Sequence, residues 1–253
     1  MRIPLTLFLA VLLAATATAK PRTVHVFVAL CDNEHQGIVP VPKALGNGRD
    51  LNGNLYWGAA YGVRSWFKRS ADWKLVGSVP ADDPAVLERL LFKHAKADVY
   101  LLADAYDGAR IRSCVQDFLL AANGQQAVPV TQEGTALSFG GGADLVAYVG
   151  HDGLMDFAVA PAYGAPPAAP RDAIVLACYS KHFFGPQLQQ AGATPLLWTT
   201  HLMAPEAYTL TAALSGWVAR EPATAVRERA AQAYNTYQKC GINGARKLLV
   251  TGY

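Results

Sequence analysis

Two short apolar runs in this sequence each lead into a side chain that can take part in covalent catalysis. The run at 144–150 is followed by His151, and the run at 172–177 is followed by Cys178. A free thiol has a pKa of about 8.5 and is mostly protonated at neutral pH, but a neighbouring histidine can take its proton. A cysteine and a histidine that close two neighbouring strands therefore predict nucleophilic attack on an acyl carbon.

The elements that must position this pair alternate between strand and helix along the chain. Apolar, β-branched runs predict strands at 24–31, 73–76, 98–105, 144–150, 172–177 and 193–199. Other patterns predict helices at 54–69, 83–96, 110–123, 182–191, 205–219 and 223–239. Such alternation favours an α/β fold, a three-layer αβα sandwich with a mostly parallel sheet.

The carboxyl edge of a parallel sheet is where a site is expected, because the loops that follow the strands meet there. Neighbouring strands lie about 4.8 Å apart, so His151 and Cys178 face one cleft if their strands are adjacent. The backbone amides of Gly153 and Cys178 are the candidate oxyanion donors. Asp156 either orients His151 or, as we favour from the sequence, is a surface carboxylate, and His182 is a rival partner for the thiol.

Two segments resemble those of a known family. VAYVGHDG at 146–153 and IVLACYS at 174–180 resemble the caspase-like cysteine peptidases, which include legumains, gingipains, clostripain and metacaspases. The resemblance extends loosely over residues 24–200 and implies a caspase-like fold, with Cys178 as nucleophile and His151 as general base and acid. In the family, glycine directly follows the histidine. Here Asp152 intervenes, so the oxyanion amide belongs to Asp152, to Gly153 or to neither.

Candidate substrate-binding residues follow the predicted strands. Asp32 and Asn33 come after the first strand, and the resemblance implies that residues there help form the pocket for the side chain preceding the cleaved bond. An acidic Asp32 in that pocket suits Arg or Lys, although an Asx turn or helix cap is the interpretation that we favour. Trp198 and Thr199 end a later strand and can wall the cleft. The remaining candidates flank the pair itself: Asp152 and Tyr179.

The first 19 residues have the pattern of a secretory signal peptide. Arg2 precedes an apolar run at 3–15, and Ala17-Thr18-Ala19 supplies the small residues that a signal peptidase accepts. The run is shorter than the roughly 20 residues that span a bilayer. We expect cleavage before Lys20 and a periplasmic or secreted protein that, once processed, does not associate with the membrane. Residues 20–253 then form a single domain.

The charge and the cysteine content of the chain indicate which further partners and groups to expect. The 22 basic and 19 acidic residues give a formal net charge of +3, which supplies no electrostatic reason to expect nucleic acid. Export permits disulfides, and of the four cysteines we expect Cys114 and Cys240 to pair. The chain has no C-x-x-C spacing, so no zinc or other metal site and no cofactor is predicted.

The sequence therefore predicts an exported cysteine peptidase that hydrolyses peptide or amide bonds of a peptide or protein substrate through a Cys178/His151 dyad. Two alternatives remain open. The first is a catalytically degenerate, secreted caspase-like module that binds a peptide or small ligand. The second is a hydrolase or acyltransferase that attacks a nonpeptide ester.

Overall fold

An eight-stranded sheet and a separate hairpin form the framework of the molecule. The computed structural model describes residues 20–165 and 169–253, so the predicted signal peptide at 1–19 lies outside the described residues. The strands are β1 (Arg22–Ala29), β2 (Trp73–Ser78), β3 (Val86–His94), β4 (Val99–Tyr106), β5 (Ala127–Gln132), β6 (Thr135–Gly140), β7 (Leu145–Val149), β8 (Asp172–Leu176), β9 (Thr194–Thr199) and β10 (Leu249–Val250). The hairpin consists of β5 and β6.

Six α-helices accompany the strands in the described residues. They are α1 (Val63–Arg69), α2 (Ile111–Ala122), α3 (Ser180–Ala191), α4 (Ala207–Val218), α5 (Ala223–Gln238) and α6 (Ile242–Leu248). None of the helices within 20–165 and 169–253 has the length and apolar character needed to cross a membrane.

The large sheet has the order β10-β9-β8-β7-β1-β4-β3-β2. Its five central strands, from β9 to β4, run parallel, and the edge strands β10, β3 and β2 pair antiparallel. The central strands are buried on both faces, which explains their nearly continuous apolar sequences. The predicted α/β class with a large, mostly parallel sheet is confirmed.

Helices pack on both faces of this sheet. Alternate side chains of a strand point to opposite faces, and Val26 of β1 joins a core cluster with residues of α1, α4, α5 and α6, whereas Phe27 joins a second cluster with residues of α2 and α3. The arrangement is consistent with three layers. It leaves the carboxyl edge of the parallel strands to the connecting loops.

The predicted helix at 83–96 is wrong, because this segment contains strand β3. A turn at Asp83, whose carboxylate accepts the backbone N–H of Ala85 at 2.8 Å, leads into the strand. Leu90 then packs into the core cluster beside α1, and Leu91 packs against the hairpin on the other side. A strand buried on both faces needs no strict alternation, so its apolar spacing overlaps with that of a helix.

The predicted helix at 54–69 is only partly correct, since α1 begins at Val63. Residues before it form turns, in which Asn54 donates to the carbonyl of Cys31 at 2.8 Å and accepts the N–H of Cys31 at 3.1 Å. These bonds attach the segment to the end of β1. The β5–β6 hairpin, which turns at Glu133-Gly134 with both φ angles positive, was not predicted.

The expected disulfide between Cys114 and Cys240 is also wrong. All four cysteines are free thiols in the described chain. Cys114 is fully buried on α2, while Cys240 is exposed beyond α5, and those helices pack on opposite faces of the sheet. Burial raises the pKa of Cys114 well above its ordinary value.

Candidate active site

The register between β7 and β8 brings His151 and Cys178 to the same level. Val149 lies opposite Leu176 in this parallel pair, and the histidine and the cysteine each follow two residues later. Both residues line one cavity of about 410 Å³ at the carboxyl edge of the sheet. The rest of its wall comes from loops. The residues are 37–39 after β1, Tyr56, Gly150, Met155, 202–203 and Pro205.

A sharp strand-to-helix turn carries the thiol. Tyr179 adopts the left-handed conformation, with φ 50° and ψ 27°, and α3 begins at the next residue. This conformation is uncommon for a residue with a side chain. Thr199 holds the turn, because its hydroxyl contacts the carbonyl of Ala177 and accepts the backbone N–H of Ser180 at 3.2 Å. The Ser180 hydroxyl donates to the carbonyl of Val175 at 3.0 Å.

The thiol of Cys178 is partly buried, and its surroundings favour the protonated form. Burial raises its pKa, the N–H of Met203 at 3.4 Å from Sγ lowers it, and the charge of Asp152 raises it further. The amino terminus of α3 just beyond Cys178 favours the thiolate, but the net shift is upward. The thiol therefore needs a base to become a nucleophile.

His151 is held in place by a carboxylate. Its Nε2 lies 2.7 Å from Oδ2 of Asp156, and its carbonyl accepts the hydroxyl of Tyr148 at 2.7 Å. Oδ2 of Asp156 also accepts the N–H of Gly37 at 2.9 Å. Asp156 thus contacts His151 although its carboxylate is partly exposed, and Nδ1 of His151 has no hydrogen-bond partner in the described residues.

The two candidate oxyanion donors are separated by the fold. Cys178 lines the cavity, but Gly153 lies outside it, in a short 3₁₀ turn where a Cβ would meet Phe157 at 2.6 Å and Ile111 at 3.3 Å. Tyr56 lines the cavity with only 7% of its surface exposed. Burial raises the pKa of Tyr56 well above its ordinary range, and the neighbouring Cys31 and Cys178 add to the shift. A neutral phenol therefore adjoins the thiol.

Asp152 is fully buried and does not line the cavity. Its Oδ1 accepts the N–H of Leu154 at 3.0 Å, and its Oδ2 has no hydrogen-bond partner in the described part of the chain. Burial raises the pKa of this carboxyl to about 7, and the charge of Asp156 contributes to the increase. Asp152 therefore does not line the cavity, and its charge, when it is ionised, raises the pKa of Cys178.

Asp32 and Asn33 lie in a different cavity, of about 390 Å³. Asp32 accepts the N–H of Glu34 at 2.8 Å and contacts the ring of His35 at 2.9 Å. Asn33 exchanges hydrogen bonds with the backbone of Val41 at 2.8 and 3.0 Å. Both side chains stabilise their own loop, as in the Asx-turn interpretation, and neither lines the cavity of Cys178.

The other flanking candidates support the site from outside. The indole of Trp198 is buried in the core cluster with α2 and α3, on the face opposite to the cluster that contains Tyr56. Tyr179 donates its N–H to the carbonyl of His201 at 3.0 Å. Thr199 and Tyr179 hold the backbone around Cys178, and Trp198 packs in the core. None of the three lines the cavity, contrary to the prediction that they bind substrate.

Sequence reasoning missed several residues of the cavity wall. Tyr56 lies in the segment that was predicted to be helical, and Leu202 and Met203 lie just beyond the strand that ends at Thr199. Inspection of the residues a few positions past each strand end would have found the last two. Residues 37–39 belong to the long loop after β1, and loops of such length are often functional.

No set of three or more histidine, cysteine or acidic side chains in residues 20–165 and 169–253 is arranged to hold a metal ion. No protein-family model, curated protein or solved structure matches this chain significantly.

Proposed function

We propose that this protein is an exported, caspase-like cysteine peptidase in which Cys178 is the nucleophile, His151 the general base and acid, and Asp156 the residue that orients His151. The observation that carries the proposal is the shared cavity at the ends of two adjacent strands, which both the thiol of Cys178 and the carboxylate-bound imidazole of His151 line. Three-member arrangements of this kind are recognised by geometry and not by sequence order.

The acylation step uses each group once. His151 takes the thiol proton on Nδ1, while Asp156 accepts the hydrogen bond from Nε2 and stabilises the imidazolium. The thiolate sulfur forms a bond to the carbonyl carbon, and the oxygen becomes an oxyanion near the N–H of Cys178. Collapse of this intermediate breaks the C–N bond, and the leaving amine takes the proton from His151. The product is a thioester on Cys178.

In the second step, water hydrolyses the thioester, and the proton transfers run in the opposite order. His151 removes a proton from water, the resulting hydroxide attacks the thioester carbon, and the C–S bond breaks. The acid product leaves, and Cys178 recovers its proton from His151. The raised pKa of Cys178 makes the histidine indispensable, because few thiolates form without it.

One observation favours the alternative of a degenerate module that binds a peptide or small ligand. Gly153, the expected second oxyanion donor, does not line the cavity, and oxyanion stabilisation is commonly a large contribution to catalysis. Such a module would retain the cavity and lose the reactivity of Cys178. Attack on a nonpeptide ester would use the same residues and is separated by the choice of substrate.

Alkylation by iodoacetamide, read by mass spectrometry at each cysteine, tests the proposal. We expect Cys178 to react faster than the exposed Cys240 in the wild type, and to lose that advantage in His151→Ala. Hydrolysis of peptide anilides should disappear in Cys178→Ala and persist in Cys240→Ala. Equal, slow alkylation of both thiols together with binding of peptides would instead establish the degenerate module.

A further inference from the structure

The cavity that contains Cys178 has an apolar wall, and several of its apolar side chains are exposed to solvent. Val39 is 88% exposed, Leu202 is 66% exposed and Met155 is 42% exposed, and all three line the same cavity. Single exposed apolar side chains are ordinary, but several around one opening indicate a binding surface. They come from three separate loops, so their convergence is not a consequence of local sequence.

Charge is missing from this wall. The titratable side chains that line the cavity are Cys178, His151 and Tyr56, and no carboxylate of the described residues lines it. Asp156 does not line the cavity, and its carboxylate contacts Nε2 of His151. A positively charged side chain placed here would lose hydration without gaining a partner, which is unfavourable.

Asp32, the acidic residue that would suit an Arg or Lys side chain, does not line the Cys178 cavity. Asp32 lies in the neighbouring cavity, where it accepts the backbone N–H of Glu34 and pairs with the ring of His35. An Asx turn of this kind uses the carboxylate to stabilise its own loop.

We propose that the cavity binds an apolar side chain, of the size of Leu or Phe, that adjoins the bond attacked by Cys178. This assignment rests on the proposed function and names the substrate class of the same site. Met203 fixes the location, because its N–H contacts Sγ of Cys178 at 3.4 Å while the adjoining Leu202 forms part of the apolar wall. A side chain against Leu202 therefore lies beside the thiol. The volume of about 410 Å³ falls within the range of small-ligand pockets.

Acetylated peptide anilides that differ only in the residue before the scissile bond measure this preference. We expect kcat/KM for Leu and Phe to exceed that for Gly, Arg and Asp by roughly 10- to 100-fold, as expected when an apolar side chain is buried in a fitting pocket. A preference for Arg, for Asp, or for none of the five would overturn the assignment.

Substitutions of Leu202, at the exposed rim of the cavity, test whether the apolar wall causes the preference for Leu and Phe. Leu202→Ser should lower the ratio of kcat/KM for Leu to that for Gly about fivefold, and Leu202→Asp should shift the preference toward Arg. Leu75→Ser is the matched control, because Leu75 is 42% exposed on β2 at the opposite edge of the sheet. Equal ratios in Leu202→Ser and Leu75→Ser would contradict the assignment.

The outcomes separate the two proposals. Cleavage that depends on Cys178 and His151 but favours a charged residue overturns only the apolar pocket. Rapid alkylation of Cys178 without cleavage of any of the five peptides overturns the pocket and the peptidase. Slow alkylation of Cys178, no faster than that of Cys240, overturns the nucleophile itself.

Discussion

Three histidine–aspartate pairs of the described residues lie beside cavities of similar volume, and two of these pairs have different surroundings. His151 and Asp156 adjoin the cavity of about 410 Å³, which also contains Cys178. His25 and Asp104 lie 3.0 Å apart in the middle of β1 and β4, and His25 lines a cavity of about 380 Å³. The lining of the second cavity includes no cysteine, serine, threonine or lysine of the described residues.

The buried pair is also fully engaged. Arg89 binds both carboxylate oxygens of Asp104, at 2.7 and 2.6 Å, and the N–H of Gly140 donates to Nδ1 of His25 at 2.9 Å. Burial alone would raise the pKa of Asp104, but its contacts with His25 and Arg89 lower it. Both ring nitrogens of His25 therefore face protein groups, Nδ1 the N–H of Gly140 and Nε2 the carboxylate of Asp104.

The comparison shows that a carboxylate-bound imidazole is not in itself a mark of catalysis. His25 pairs with its carboxylate inside the sheet, where it connects β1, β4 and the hairpin. His151 pairs with its carboxylate beyond the sheet edge, where one ring nitrogen and a thiol share a cavity. We interpret the first pair as structural and propose a chemical role only for the second.

Exchange of each histidine for glutamine should separate the two roles most strongly. We expect His151→Gln to lower kcat/KM roughly 1,000-fold, because the general base is lost, with little change in melting temperature. His25→Gln should lower the melting temperature and retain the activity per folded molecule. Peptide hydrolysis and thermal unfolding measure both. Comparable activity losses in the two variants would contradict the distinction.

The aspartates offer a second test with a stability readout. Asp104→Asn leaves Arg89 buried without its counter-charge and should lower the free energy of unfolding by about 3–5 kcal/mol. Asp156→Asn, at a partly exposed position, should cost less than about 1 kcal/mol and slow catalysis by misdirecting His151. Urea denaturation distinguishes them, and similar destabilisation by both substitutions would show that Asp156 is structural too.

Asp152 predicts a pH dependence of stability near the site. The folded protein holds this proton up to a pKa of about 7, whereas an unfolded aspartate releases it at about pH 3.9. The stability associated with the neutral carboxyl is therefore complete below pH 3.9, decreases as the pH rises to 7 and then remains level. Asp152→Asn should be more stable than the wild type at pH 8, by roughly 1–3 kcal/mol.

The same variant tests the electrostatic effect on the thiol. Removing the charge of Asp152 should lower the pKa of Cys178 and increase its alkylation rate at pH 7.5 by about two- to fivefold. Thermal unfolding between pH 4 and 8 gives the stability difference. If the curves of variant and wild type run parallel over that range, Asp152 is already ionised in the folded protein.

A smaller effect on kcat/KM than that of His151→Gln is expected at the loop that touches Asp156. A Cβ at Gly37 would overlap Oδ1 of Asp156, so Gly37→Ala should displace the carboxylate and reduce kcat/KM by about three- to tenfold. Gly77→Ala is the control, because nothing lies within 4 Å of a Cβ at that position. Equal activities would show that Asp156 tolerates the displacement.

The placement of His151 and Cys178 could be predicted because it depends on local pattern. The runs before them are apolar throughout, as central parallel strands must be when helices cover both faces. Residues at equal distances beyond two paired strands emerge at one edge. The same reasoning failed for the segment at 83–96. The spacing of its apolar residues suits a helix, and only its pairing with β4 and β2 makes it a strand.

The sequence alone therefore determined the α/β class and which strands lead into Cys178 and His151, since the burial of a central strand requires consecutive apolar residues. Only the tertiary structure decided that Asp156 contacts His151, that Asp32 turns into its own loop, and that Val39, Met155 and Leu202 line the same cavity as Cys178. The three wall residues come from loops far apart in the chain, whereas the two aspartate contacts are local in sequence and depend on the path of their own loops. Their geometry depends on how loops cross the sheet edge, and no periodicity of the sequence encodes it.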